Sequence, residues 1–300
     1  MQNYIDYRKA QKPLAFENII VEIGFGSGDF LIKLAEENRN EIFFGIEKSW
    51  IPVNKLLKKC SLKKINNIYC TRLDAYWAFQ LLFRDSSVKK IIMNYPDPWF
   101  KKSHAERRLT RRENLYIYTK KLVPDGEIKI RTDDYSFVEF TLQESAFLNC
   151  FSINVLNPTI NEPLTKYEKR WLSMGKNIWD IVLKKEKEPV LLKINEIKEV
   201  SELYPVKVLA NIDVELIAHK AFKIEDALYL KCFSVWKRQQ DYAVEVLLSE
   251  NGFLQSFMVT VKKRNDYFII DVSKFSEVLK TEGIQKALIL LGKIIGKEIL

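Results

Sequence analysis

The spacing of apolar residues divides this chain into two parts with different periods. In the first, short apolar runs are followed by stretches with apolar residues at helical spacing; in the second, successive runs read as strands. Ile19 to Ile23 is the first apolar run, and the Gly-Phe-Gly-Ser-Gly behind it opens a helix with Phe30, Leu31, Leu34 and Ala35 on one side. Glu41 to Ile46 predicts a second strand. Ser49 then caps a helix that carries Pro52 in its first turn and runs to about Cys60. Ile68 to Thr71, Val88 to Met93 and Glu127 to Ile130 predict further strands, with helices at Tyr76 to Phe83, Arg112 to Val123 and Phe137 to Phe147. Pro124-Asp125-Gly126 reads as a turn before the fifth strand, and Phe151 to Val155 and Ile178 to Leu183 complete the set. This alternation predicts an α/β fold with a doubly wound parallel sheet, whose ligands sit at the carboxyl edge of the strands.

Lys184-Lys185-Glu186-Lys187-Glu188-Pro189 is a charged break, which places a domain boundary between residues 1–187 and 188–300. Beyond it, strands are expected at Val206 to Ile217, Ala227 to Trp236, Tyr242 to Leu248, Phe253 to Val261 and Tyr267 to Val272, with Asn251-Gly252 as a hairpin turn. Phe275 to Leu300 predicts a helix with an apolar stripe through Val278, Leu279, Ile284, Leu288, Leu291 and Ile295. The second part is therefore expected to be a smaller α+β accessory domain. Lys231, Lys237, Arg238, Lys262, Lys263 and Arg264 in it are either an extension of a nucleic-acid footprint or a solvated charged face.

Composition narrows the class. The 300 residues are 47% hydrophobic, enough to bury real cores, and a formal charge of +9 favours polyanionic partners. The four cysteines are scattered, which suggests neither a disulfide framework nor a metal site and fits a reducing compartment. No apolar leader and no membrane-length apolar stretch is visible, so a cytoplasmic protein, monomer or homodimer, without metal or membrane attachment is expected.

The chemistry concentrates at the predicted strand ends. Gly24, Gly26 and Gly28 form a GxGxG turn that lets a ligand approach the backbone and face a helix N-terminus. Glu22 precedes the first glycine by two residues, and Glu47, 19 residues past Gly28, is placed to grip a ribose diol. A dinucleotide would require GxGxxG, and Glu22 and Asp29 would repel its pyrophosphate, so S-adenosylmethionine is the expected cofactor. Asp74 either accepts from an adenine amino group or caps the next helix, and Asp133 is a better site candidate than Asp134, which reads as a cap. The fourth strand delivers Asn94-Tyr95-Pro96-Asp97-Pro98-Trp99, in which two prolines hold Asp97 on a stiff loop. From Lys101 to Arg112 follow six Lys or Arg, one His and a single acid, a run suited to phosphate.

N-Y-P-D-P-W-F-K-K-S-H-A-E-R-R-L-T, together with E-I-G-F-G-S-G, I-R-T-D-D-Y and P-L-T-K-Y-E, resembles the bacterial tRNA (guanine-N7-)-methyltransferases over roughly residues 1 to 185. The resemblance implies a class I, Rossmann-like methyltransferase that uses S-adenosylmethionine to methylate N7 of a guanosine at position 46 in the tRNA variable loop. By position, it implies cofactor contacts from Glu22, Glu47, Asp74 and Asp97, with the glycine turn and Asn94 beside them. Asp97 is also the implied catalytic residue. Lys101, Asp133, Thr165 and Glu168 take substrate-binding positions, and Lys102, His104, Arg107, Arg108 and Arg111 are expected to contact RNA phosphates. Phe100, Ser103 and Glu106 depart from the family pattern, all behind Asp97 in the RNA-contacting run. Two other readings compete: methylation of an exocyclic amino group, because Asn94-Tyr95-Pro96-Asp97 is similar to loops that hold such groups, and a noncatalytic tRNA-binding or chaperone protein; residues 188–300 are expected to be an auxiliary tRNA-binding or stability module.

Overall fold

Ile19–Ile23 (β1) is buried at every position, whereas a strand covered on one face would alternate. The computed structural model describes residues 3–99, 101–158, 177–209 and 211–296, and divides the chain into two compact units, Met1–Lys193 and Ile194–Leu300. In the first unit β1 is followed by α1 (Asp29–Glu37), β2 (Phe43–Glu47), α2 (Trp50–Lys63), β3 (Ile68–Arg72), α3 (Ala75–Leu82) and β4 (Val88–Asn94). Then come α4 (Arg112–Lys121), β5 (Leu122–Thr132), α5 (Tyr135–Ala146), β6 (Phe151–Leu156) and β7 (Trp179–Lys185). The strands form one sheet in the order β3-β2-β1-β4-β5-β7-β6, with β7 antiparallel to both its neighbours and the first five strands parallel. That is the class I methyltransferase, Rossmann-like arrangement expected from the sequence.

Phe43 and Phe44 show why the strands lack alternation. Phe43 joins the cluster of Leu31, Ile32, Val53 and Leu56 from α1 and α2, while Phe44 faces the other way and meets Phe83. Both phenylalanines are fully buried, because helices cover both faces of the sheet. The order reverses beside β1, where β2 and β4 leave on opposite sides, so the ends of β1, β2 and β4 open onto a crevice.

The expected turn at Pro124-Asp125-Gly126 lies inside β5. Val88 pairs with Leu122 and Lys90 with Glu127, so the turn is a bulge in the ladder, with Asp125 at φ 61°. The helix expected to end near Cys60 continues to Lys63, where Lys64 in the left-handed region stops it.

The second unit is a six-stranded antiparallel sheet in the order β8-β13-β12-β11-β10-β9. Its strands are β8 (Val206–Leu209), β9 (Ala221–Glu225), β10 (Leu228–Arg238), β11 (Asp241–Glu250), β12 (Phe253–Arg264) and β13 (Tyr267–Val272). The single strand expected from Val206 to Ile217 stops at Leu209. Asn211 at φ 82° ends the extended backbone, and Asp213 accepts from the Glu215 amide to start a 3-10 turn at Val214–Ile217. The helix expected from Phe275 begins only at Glu282 (α6, Glu282–Ile295), because the Thr281 hydroxyl caps it. Its predicted stripe of Ile284, Leu288, Leu291 and Ile295 packs on the sheet. Asn251 and Gly252 both have positive φ, as the hairpin reading requires.

Candidate functional site: a cleft at the carboxyl edge

A cleft of about 890 Å3 lies at the carboxyl edge of the first sheet. Gly24 and Gly26 line it beyond β1, Glu47 at the end of β2, Asp74 beyond β3, Asn94 to Trp99 at and beyond β4, and Asp133 beyond β5. The topology thus gathers side chains far apart in sequence because all five parallel strands end on one side.

The glycines of the turn do different work. Gly24 and Gly26 have φ of 73° and 53°, and a Cβ on either meets nothing within 4 Å, which leaves room for a ligand against the backbone. Gly28 is the N-cap of α1 at φ 76°, and a Cβ there would approach Leu56 Cδ1 to 2.6 Å. Gly28 therefore lets α2 pack closely and is not among the residues lining the cleft. Gly28, expected to bind cofactor, has a packing role in the structure.

Glu22 reaches the cleft indirectly. It is 2% exposed, and Asn94 Nδ2 donates to its Oε1 at 3.1 Å. Oε2 is buried with no hydrogen-bond partner among the described residues, and burial pushes the carboxyl up to about 7 against the weaker opposing pull of Asn94. An unpartnered acceptor beside a glycine turn with free space fits a ligand carrying a cationic group, as S-adenosylmethionine does. Glu47 Oε1 accepts from the amides of Lys48 at 2.8 Å and Ser49 at 3.3 Å, which fixes the carboxylate at the strand tip. Asp74 is a helix cap, its Oδ1 accepting from Tyr76 N at 2.8 Å; its Oδ2 lies 2.5 Å from Lys48 Nζ, and the residue lines the cleft. Asp134 is a cap, accepting from Phe137 N at 2.9 Å, and Asp133 is the one that faces the cleft.

The proline-braced loop is strained at both ends. Tyr95 and Trp99 have φ of 53° and 46°, a conformation bulky residues adopt only when their surroundings impose it. Tyr95 N donates to Arg131 O at 2.7 Å, and Arg108 donates from Nε to Pro98 O at 2.8 Å and from Nη2 to Trp99 O at 3.1 Å. Arg108 also lies over the Phe140 ring, so its guanidinium holds the loop that carries Asp97. Arg108, expected to contact RNA phosphate, thus braces this loop. Asp97 itself is exposed and lines the cleft.

Arg107 and Arg111 line the cleft as well. Arg107 stacks 5.0 Å from the Trp99 ring centroid, and Arg111 lies 5.2 Å from that of Tyr76 while its Nε donates to Asn114 Oδ1 at 3.0 Å. His104 meets the edge of Trp99, and Lys101 is exposed; neither lines the cleft. Arg112 turns away into a bidentate pair with Glu144, at 2.9 and 3.1 Å. The side chain of Lys102, and Phe100, Thr165 and Glu168, lie outside the described residues. Sequence reasoning missed Lys48, Leu109 and Asn114 as lining residues. Asn114 stands three residues past Arg111, a spacing that brings two side chains onto one helix face.

A family model described as "Putative methyltransferase" matches residues 17–181. A tRNA (guanine-N(7)-)-methyltransferase from Aquifex aeolicus is 49% identical over 286 residues, covering 95% of this chain and 96% of that protein. A protein of the same name from Thermotoga maritima is 29% identical and covers 90% of this chain and 87% of its own length. An rRNA methylase structure from Streptococcus thermophilus overlaps 59% of this chain and 91% of its own at 15% identity, with a TM-score of 0.41. With a family model over more than half its length and a relative 49% identical along nearly all of it, the chain belongs to the tRNA (guanine-N(7)-)-methyltransferase family.

Proposed function

We propose that this chain transfers a methyl group from S-adenosylmethionine to N7 of a guanosine in the tRNA variable loop, position 46. The observation that carries the reading is one cleft lined by the glycine turn, Glu47, Asp74 and the Asp97 loop, with Arg107 and Arg111 at the same space. The cofactor supplies an electrophilic methyl on a sulfonium. Guanine N7 already carries a lone pair, so no proton is removed and rate enhancement comes from alignment and from stabilising developing charge.

Each residue then has a task. Gly24 and Gly26 admit the cofactor against the backbone, Glu47 and Asp74 accept from its ribose and adenine, and Glu22 with Asn94 serves its cationic end. Asp97 accepts from the N1–H and N2 amino edge of guanine and offsets the positive charge that grows on the ring. Trp99, held by Arg108 and flanked by Arg107, offers a stacking surface to an extruded base. Arg107 and Arg111 hold phosphate, and Lys101 and Asp133 take the substrate positions implied by the family.

Reaction of the chain with unmodified tRNA, followed by mass spectrometry of the nucleosides, tests the reading. N7-methylguanosine is expected, and it is alkali-labile; an alkali-stable amino-methylated base overturns the choice of atom. Asp97→Ala is expected to retain tRNA binding and to lose methyl transfer by roughly a hundredfold or more. Unchanged transfer removes Asp97 from the mechanism.

A further inference from the structure

Residues 194–300 contain fifteen Lys or Arg and fifteen Asp or Glu, so the second unit is formally neutral. Its charge is nevertheless unevenly placed. Lys237 and Arg238 end β10, and Lys262, Lys263 and Arg264 end β12. The register brings these strand ends together, because Tyr242 near the start of β11 lies between Lys237 and Val261 and pairs with both. Lys207 on β8 comes to the same end of the sheet through β13, since Ile269 pairs with both Lys207 and Lys262.

These cations differ from three lysines elsewhere in the unit that are neutralised by carboxylates. Lys198, Lys223 and Lys286 pair with Glu282, Asp226 and Glu225. Lys237, Arg238, Lys262, Lys263 and Arg264 have no carboxylate within ion-pair distance among the described residues. Lys237, Lys263 and Lys207 instead rest over the rings of Tyr242, Phe268 and Tyr267. Aromatic supports steady the stems while the ammonium groups keep their charge for another partner. Two acids lie at the same end, Asp241, whose carboxylate accepts from the Lys263 backbone amide, and Asp266 in the turn between β12 and β13, against six cations. Next to Lys237, Trp236 is half exposed.

We infer that this basic end of the C-terminal sheet is a second contact for the sugar–phosphate backbone of the RNA substrate. The inference deepens the proposed function and rests on it for the identity of the RNA. A cluster of unneutralised cations in a neutral unit fits a polyanion, and an exposed indole beside it adds a face on which a base or ribose can rest. A second copy of this chain meeting the same patch about a two-fold axis would set the cations against one another, which disfavours that occupant. Sequence reasoning named five of these residues but had no means of separating a footprint from a solvated face. The missing fact was the strand register, which brings these residues to one end of the sheet and leaves Lys231 away from it.

The test uses the full chain, with Lys237→Gln/Arg238→Gln and Lys262→Gln/Lys263→Gln/Arg264→Gln, separately and together. Binding of unmodified tRNA is measured by filter retention over a salt series, beside cofactor affinity, methyl transfer at saturating tRNA and thermal melting. The combined variant is expected to weaken tRNA binding at least tenfold at moderate salt. The slope of log K against log salt should fall by roughly 0.9 for each phosphate no longer neutralised, while cofactor affinity and saturated transfer stay as in wild type. Replacing the three lysines by Arg should preserve binding. Melting at the wild-type temperature with an unchanged salt slope overturns the inference. So does a change in sedimenting mass, or weakened binding to anionic vesicles, with tRNA affinity unaltered. If the combined variant does not fold, the exposed single changes Lys237→Gln and Arg264→Gln are read for their slopes alone. Failure of the proposed function is distinguishable, because then wild type forms no N7-methylguanosine whatever the patch variants bind.

Discussion

Glu22 offers the sharpest quantitative test of the site. Its carboxyl is 2% exposed, receives one hydrogen bond from Asn94 and leaves Oε2 without a partner among the described residues. Burial lifts it from 4.5 to about 7, a difference equivalent to about 3 kcal/mol between the protonated and ionised forms. Because the folded value lies above the unfolded one, the associated stability is complete below the unfolded value of 4.5. It is lost as pH rises through about 7. Glu22→Gln keeps the shape and the acceptor for Asn94 but cannot ionise. Urea melts of the ligand-free chain at about pH 5 and pH 8 should therefore show the variant gaining about 2.5 kcal/mol on wild type over that interval. With cofactor the sign reverses, since a cationic ligand group facing Oε2 favours the carboxylate. Calorimetry should find wild-type affinity rising by up to about tenfold per pH unit until about pH 7, and a flat profile for Glu22→Gln. Equal stability gaps at both pH values, together with an unchanged affinity profile in the variant, would refute the assignment of a proton to this carboxyl.

Two further outcomes follow from the geometry. Gly28→Ala should destabilise the chain by about 2 to 4 kcal/mol, combining left-handed strain with the Leu56 clash, whereas Gly26→Ala, with open space around its Cβ, should mainly weaken cofactor binding. Melting curves paired with cofactor titration separate the two. Arg108→Ala frees the carbonyls of Pro98 and Trp99, so methyl transfer should fall by roughly ten- to a hundredfold through misplacement of the Asp97 loop, and the tRNA salt slope should stay as in wild type. A reduced slope with normal turnover would return Arg108 to the phosphate contacts.

The parallel-sheet half was legible because its signals are local. Ile19–Ile23 is a short apolar run ended by glycine, Ile91 to Met93 is one that leads into a proline loop, and Asp74 and Asp134 are side chains of the kind that cap helices. Errors fell where a longer apolar stretch held a break of another kind. Val206 to Ile217 looked like one strand because apolar content continues through the 3-10 turn, and Phe275, 99% exposed, looked like the start of a helix that Thr281 begins. The edge strand Ala221–Glu225 was missed: alternating exposed and half-buried residues over five positions give a weak signal.

The order of elements in the first unit and the acids at its strand ends could be read from the chain alone, since periodicity, glycine and proline act on neighbouring residues and a parallel sheet sends every strand tip to one edge. The tertiary structure alone decided what each polar group does there. Asn94 reaches Glu22 across 72 positions, Arg112 finds Glu144 across 32, and Gly28 is required by Leu56 on another helix. Charge state and free valence depend on such distant partners and on burial, neither of which is written in the spacing of residues. The basic run behind Asp97 was visible as charge, and only packing divided it into Arg108 that holds the loop, Arg112 that holds α5, and Arg107 and Arg111 that face the cleft.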